Sequence, residues 1–349
     1  MKLSRQRLEE ILRKFRNLKV AVVGDFYLDR YISGSMESIS REAAVPVVRI
    51  ESDLYSPGAA GNTACNLSSM GAEVIAIGAI GPDISGEIMK KELAARGIES
   101  EDLFPVESRH TPTFNKVYAS SYHGKKQQVA RFDQENDSPI GREAESRIIE
   151  ALERVSGECH AIVAADYAEI PATNVLTRAI LAKVAELSRE KKVLSVGDSR
   201  DSIAEFSDLS VLMPNDYEAA MAAGVYRLHE SDRISDETAL RAGSKLKDLT
   251  RCETLFITQG ERGMMVFPTA GEPIRVPTAP CTGEVDGTGA GDTVTAAVAL
   301  SLAAGADIIE AAELANLAAG TTVKKLGTTG TPTYDEILAA FDALPFSGR

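Results

Sequence analysis

A chain of 349 residues with 44% hydrophobic side chains is long enough for one large α/β domain or two modest ones, with a sizeable core. A net charge of −13 argues against a nucleic-acid protein, whose footprint would be basic. Small anions stay open, because backbone amides and a few local cations can hold phosphate inside an acidic protein.

The first twenty residues, MKLSRQRLEEILRKFRNLKV, are charged throughout and lack the apolar stretch of a signal peptide. Leu3, Leu8, Ile11, Leu12 and Phe15 recur at helical spacing and predict an amphipathic helix packed on the domain. Glu9 and Glu10 interrupt the basic face that membrane binding would need. The longest apolar run, AAVALSLAAGA from Ala296, is too short to span a bilayer, so a cytoplasmic protein without membrane or nucleic-acid partners is expected. Four cysteines, Cys65, Cys159, Cys252 and Cys281, form no CxxC pair and have no histidine at zinc spacing. They read as reduced thiols, with Cys65 and Cys159 expected in the interior.

Buried strands are predicted at 19–25 (KVAVVGD), 73–81, 161–168, 192–198, 209–215 and 254–260. Helical patterns at 61–71, 85–97, 172–192 and 236–249 lie between most of them. Continuous apolar strands separated by amphipathic helices indicate a mainly parallel sheet covered on both faces. Ligands in such sheets sit beyond the carboxyl ends of the strands, and several ends here are polar: Gly24-Asp25, Asp166, Gly197-Asp198, Asn215 and Gly260. Segments 30–56 and 111–133 alternate like strands and carry no helix, which predicts an antiparallel flap, or lid, over the strand ends. With no linker or repeat between halves, residues 1–349 read as one domain.

Glycine density peaks at 284–293, EVDGTGAGDT, just before an Ala-rich helix expected to run to about Ala304. Helix starts carry unpaired N–H groups and partial positive charge, and glycine lets the preceding backbone approach a ligand closely. Gly289, Ala290, Gly291 and Asp292 therefore compose an anion hole with a carboxylate at its mouth. That carboxylate is suited to accept a proton from a hydroxyl attacking a phosphoryl group. The plainer alternative is a flexible turn with Asp292 as a first-turn helix residue. No GxxxxGK[ST] loop occurs, and the first strand ends GDFYLD rather than in a dinucleotide fingerprint.

DGTGAGD (286–292) and PGAAGNTACNLSSMGA (57–72) resemble the C-terminal and N-terminal signatures of the ribokinase-like, or PfkB, carbohydrate kinases. GDFYLDRY (24–31), ISREAAVPVV (39–48), QQVARFD (127–133), ADYAEI (165–170) and KKLGTTG (324–330) resemble the heptose 7-phosphate kinase branch of that family. The resemblance runs from Lys19 to about Pro332 and implies a three-layer α/β/α fold with a small β lid. It implies an ATP- and Mg²⁺-dependent kinase, with K⁺ an allowed further cation. Its substrate would be the anomeric hydroxyl of D-glycero-β-D-manno-heptose 7-phosphate, on the way to ADP-heptose and lipopolysaccharide core. Because the chain stops where a nucleotidyltransferase half would begin, the stand-alone kinase is expected. Ribokinase, fructokinase and other sugar-phosphate kinases of the family are the alternatives.

Carried over residue by residue, the resemblance makes Asp292 the catalytic base and Gly289, Ala290 and Gly291 the anion hole. Asn215 and Glu218 would organise the nucleotide phosphates, with Glu218 reaching Mg²⁺ through water. Thr258, Gly260 and Gly263 would border ATP, and Asn316 would lie near the adenine. Asp29 and Asn62 would hold sugar hydroxyls, with Asp166 a further candidate there, and Lys116 and Arg131 would hold the sugar's phosphate. Structural alternatives remain beside these roles. Asn215 and Glu218 have the spacing of a helix capping box; Asp29 could pair with Arg30 or Arg41; Asn62 could bond backbone; Lys116 and Arg131 could be exposed lid charges. The chain departs from the heptose kinase pattern at Arg41, Ala44, Tyr118 and Asp198-Ser199-Arg200. Paired lids present exposed strand edges, so a homodimer through the lid is expected.

Overall fold

A computed structural model describes residues 2–120, 124–170, 172–225, 233–278, 281, 283–327 and 329–344. Its strands are β1 (Lys19–Gly24), β2 (Phe26–Ile39), β3 (Pro46–Ala59), β4 (Glu73–Ile80), β5 (Leu103–Pro105), β6 (Thr113–Ser120), β7 (Gln127–Gln134), β8 (Ala161–Asp166), β9 (Leu194–Ser199), β10 (Val211–Leu212), β11 (Thr254–Thr258), β12 (Met264–Phe267) and β13 (Ile274–Val276). Its helices are α1 (Arg5–Lys14), α2 (Ala60–Ser69), α3 (Ile84–Ala94), α4 (Arg142–Val155), α5 (Arg178–Lys191), α6 (Asp216–Ala222), α7 (Asp236–Thr250), α8 (Ala290–Ala303), α9 (Ile308–Thr322) and α10 (Tyr334–Asp342).

The central sheet runs β13-β12-β11-β10-β9-β8-β1-β4-β5. It is parallel from β5 to β11, and only the β12–β13 edge turns antiparallel. Alternation along each strand feeds two separate cores. Val20 and Val22 of β1 pack with Leu8, Leu67, Val298, Leu314 and Ile337 of the helices on one face. Ala21 and Val23 pack with Ile148, Val184, Ala219 and Leu246 on the other. Both faces being covered explains why the strands read as unbroken apolar runs. This is the three-layer α/β/α arrangement with a small lid.

The lid is a four-stranded sheet ordered β3-β2-β6-β7. The expectation of an antiparallel flap needs correcting at its centre. β2–β3 and β6–β7 are antiparallel, but β2 and β6 run parallel from Leu28↔Thr113 to Ser35↔Ser120. Both strands leave the core in the same direction, and β2 follows β1 after Asp25 alone. The β2–β3 arm also reaches deeper than predicted, Phe26 pairing with Ala59 at its base. Residues 121–123 of the predicted second lid segment lie outside the described residues.

Other boundaries shift for local reasons. The helix predicted at 172–192 starts at Arg178, because Thr177 caps it and the Val175 N–H is taken by the Asp25 carboxylate at 2.9 Å. The strand predicted at 209–215 keeps only Val211–Leu212, since Pro214 has no N–H to give and Asn215 already caps α6. Cys65 is buried as expected, whereas Cys159 is half-buried at a loop; Cys252 is buried and Cys281 exposed.

Candidate active site

α8 begins one residue after Gly289, which sits at φ +77°, and a Cβ there would come within 2.7 Å of the Asn62 amide nitrogen. Only glycine suits both demands. Asp292 occupies the third helical position. The predicted anion hole is partly realised: the Ala290 N–H bonds the Gly287 carbonyl at 3.1 Å, while the Gly291 and Asp292 N–H groups have no protein acceptor among the described residues. Two free amides at a helix start still make an anion site.

The Asp292 carboxylate is not open at the helix mouth, contrary to expectation. It is 5% exposed and is held by three side chains. Oδ2 accepts from Asn62 Nδ2 at 2.5 Å; Oδ1 accepts from the Tyr167 hydroxyl at 2.8 Å and from Thr63 Oγ1 at 3.2 Å. Burial pushes its pKa up to about 6 and these three donors pull against that, so the group is mostly ionised at neutral pH. Asn62 is thus occupied with Asp292 and, through its carbonyl oxygens, with Asn66.

Further carboxylates line the strand ends beneath it. Asp198 at the end of β9 accepts from Thr295 Oγ1 at 2.9 Å, and burial, then the charge of Asp292, pushes it up to about 7. Asp25 follows β1 and accepts main-chain N–H groups from Tyr167 and Val175. Asp166 ends β8 and accepts from Ser199 Oγ at 2.8 Å. Burial raises both Asp25 and Asp166, and the charge of Asp166 raises Asp25 further. Asp166, predicted on the sugar side, is therefore an internal group bonded to β9.

On the other side of α8, two cavities meet at Thr258 and Gly260. One, of about 660 Å³, is lined by Gly263, Thr278, Ala290, Gly291, Val294 and Asn316 among others. Asn316 Nδ2 donates to the carbonyls of Val276 and Pro277, both at 3.3 Å. Gly263 lies at φ +86°, with space for a Cβ closed by the Val276 carbonyl at 2.2 Å. The second cavity, of about 540 Å³, is polar and is lined by Glu169, Arg200, Asp201, Asn215 and Glu218. Here the capping box is realised in full: the Glu218 N–H donates to Asn215 Oδ1 at 2.8 Å, and the Asn215 N–H donates to Glu218 Oε2 at 2.7 Å. Burial, then Asp198, pushes Glu218 up to about 8.

No cluster of three or more ligating side chains stands ready for a metal among the described residues. A magnesium ion carried by nucleotide phosphates needs only one or two protein carboxylates and keeps several waters. Glu218 and Asp201 on the polar cavity fit that donor set.

At the lid base, Asp29 pairs with Lys116 Nζ at 2.8 Å, not with Arg30 or Arg41; Arg30 is taken by Asp53 at 2.7 Å. Lys116 also lies 5.0 Å from the Tyr31 ring centre, and Arg131, directly across from it in register, lies 4.2 Å from that of Phe114. Arg131 bonds Asp133 at 2.8 Å and approaches Glu169 at 3.7 Å, as Arg200 does from the core at 3.5 Å. Tyr118 stacks on Tyr31 with centroids 6.4 Å apart.

Asp292, Gly289, Ala290, Gly291 and Asn62 thus converge, Thr258, Gly260, Gly263 and Asn316 share one cavity wall, and Asn215 and Glu218 line the next. Tyr167, Thr63, Asp25 and Asp198 join the site without having been assigned roles from sequence. Asp25 and Asp198 carried a signal as polar strand ends, and Tyr167 follows another such end; nothing marked Thr63.

The pfkB family carbohydrate kinase signature matches residues 17–334. The bifunctional protein HldE of Citrifermentans bemidjiense is 36% identical over 340 residues, which is 97% of this chain and 66% of that protein. The HldE of Geobacter sulfurreducens is 34% identical over 94% of this chain and 64% of its own length. The chain thus spans just under two thirds of these relatives. Among solved structures, Arabidopsis thaliana ribokinase complexed with ribose and ATP superposes with a TM-score of 0.69 at 20% identity, covering 93% of this chain and 98% of that one. Escherichia coli phosphofructokinase-2 in complex with potassium gives 0.68 at 14% identity, with the same coverage. Signature, sequence likeness and fold agree: the chain belongs to the pfkB family of carbohydrate kinases.

Proposed function

We propose that this kinase transfers the γ-phosphoryl group of ATP to the anomeric hydroxyl of D-glycero-β-D-manno-heptose 7-phosphate, giving the 1,7-bisphosphate used in ADP-heptose synthesis. The observation that carries the reading is the junction at the start of α8, where a buried Asp292 carboxylate held by Asn62, Thr63 and Tyr167 adjoins two free amides and the cavity reaching Ala290 and Gly291. The nucleotide lies along that cavity toward Asn316, its phosphates turned to Gly291 and the polar cavity of Asn215, Glu218 and Arg200. Asp292 takes the proton of the acceptor hydroxyl as its oxygen bonds to the γ-phosphorus and the bond to the ADP oxygen breaks. The Gly291 and Asp292 amides stabilise charge on the moving group. Magnesium, when bound, neutralises charge on the phosphates near Glu218; K⁺ is an optional further cation.

A phosphorylated sugar is favoured over a free one because Lys116 and Arg131 face each other across β6 and β7 beside Asp29. The 32–36% identity to bifunctional HldE proteins favours heptose among the sugar phosphates. One observation keeps a second reading, another sugar-phosphate kinase of the family: Tyr118, where heptose kinases carry a basic residue, is stacked on Tyr31. The exposed apolar residues Ile39, Val47, Ile50, Leu54 and Phe132 on the lid support a homodimer formed lid to lid. Dependence on ATP supports a cytoplasmic location. ADP release with heptose 7-phosphate, ribose, fructose and fructose 6-phosphate tests the reading. Heptose 7-phosphate should give the highest kcat/KM by at least about tenfold, a preference of about 1.4 kcal/mol; a higher value for any other sugar refutes the assignment.

A further inference from the structure

Tyr167 is tied down at both its ends. Its hydroxyl donates to Asp292 Oδ1 at 2.8 Å, and its main-chain N–H donates to Asp25 Oδ2 at 3.2 Å. The other oxygen of Asp25 holds the Val175 N–H at 2.9 Å, so one buried carboxyl pins both sides of the 167–175 loop. The distribution of donors on Asp292 is uneven. Among the described residues Oδ1 has two, Tyr167 and Thr63, which fill its lone-pair directions, and Oδ2 has Asn62 alone. We propose that Tyr167 is a positioning residue that fixes the Asp292 carboxylate through Oδ1 and leaves Oδ2 as the atom that receives the proton of the acceptor hydroxyl. The proposal rests on Asp292 being the base and adds which of its oxygens acts and what holds it there.

The electrostatic surroundings make the donor matter. Besides Asn62, Thr63 and Tyr167, the groups acting on Asp292 are Asp29 from β2, itself paired with Lys116, Asp198 from β9, and the buried thiol of Cys65 from α2. Both neighbouring carboxylates oppose ionisation of Asp292, and no cation touches it among the described residues. The Tyr167 hydroxyl cannot answer by ionising, since burial and then the charges of Asp292 and Asp198 raise it well above the usual phenol range. It remains a donor at every working pH.

Two measurements test this together. The first follows thermal unfolding of wild type, Tyr167→Phe, Asp292→Asn and the double variant from pH 4 to 8.5. With Asp292 in place, loss of the hydroxyl should destabilise the protein more at pH 8.5 than at pH 4. In the Asp292→Asn background the same loss should cost equally at both. The second is the pH profile of kcat with ATP and heptose 7-phosphate. In Tyr167→Phe its acid limb should move upward by about one pH unit, so that the loss at pH 6 is several-fold greater than at pH 8.5. A rate loss by one factor at all pH values, or a destabilisation without pH dependence, overturns the proposal. Asp292→Asn turning over at near the wild-type rate overturns the base reading instead, whatever the unfolding cycle gives.

Discussion

Replacing Asp198 by Asn should make the protein more resistant to alkaline conditions. Asp198 is 7% exposed, bonded among the described residues to Thr295, and pushed from 3.8 to about 7 by burial and then by Asp292. A carboxyl raised in the folded state contributes its full stability below the unfolded value and loses it as pH rises through the folded one. The shift of about three units corresponds to about 4 kcal/mol in all. From pH 5 to pH 8 about two of those units remain, so about 3 kcal/mol of the wild-type decline belongs to this residue. Asn keeps an oxygen for Thr295 and cannot titrate. Asp25 shifts alike in both proteins and cancels from the comparison, whereas Glu218 and Asp292 lose the Asp198 charge in the variant and rise less, which adds a smaller contribution of the same sign. Urea unfolding at pH 5, 6, 7 and 8 reads the difference, which should open steadily in favour of Asp198→Asn up to pH 7 and then level off. Parallel stability curves for the two proteins would refute the reasoning.

Gly263→Ala should destabilise by about 2–4 kcal/mol and weaken ATP binding, because the new Cβ meets the Val276 carbonyl at 2.2 Å with φ at +86°; wild-type stability in urea would contradict the close approach. Cys281 lines the larger cavity and is the exposed cysteine, so iodoacetamide should modify it first, and saturating ATP should slow that modification by about tenfold by mass spectrometry. Equal rates with and without ATP would remove the nucleotide from this cavity. Ile50→Glu with Phe132→Glu places charge on the exposed apolar lid face and should give a monomer by light scattering, whereas an unchanged mass would remove the lid from the subunit contact.

Legibility from sequence followed periodicity. Strands β1, β4, β8, β9 and β11 were visible because a sheet covered on both faces admits only apolar side chains, and α1 because Leu8, Ile11 and Leu12 share one face. The glycine loop was visible because Gly289 cannot be another residue beside Asn62. Long-range pairings were not. The parallel β2–β6 pair depends on two hairpins meeting in space, and no local pattern encodes it. For the same reason sequence placed Asn62 on the sugar and Asp166 near it, while the fold turns Asn62 onto Asp292 and Asp166 onto Ser199. Asn215 and Glu218 fitted two roles on spacing alone; the coordinates realise the capping box, and a nucleotide would meet it already formed.

Single-turnover ADP release by Asp292→Asn, with ATP affinity measured alongside, tests the proton-acceptor role of Asp292 most directly. Phosphoryl transfer should slow by at least about a thousandfold, within the range that acid–base catalysis supplies, with ATP binding within about threefold of wild type. Transfer at close to the wild-type rate would contradict that role.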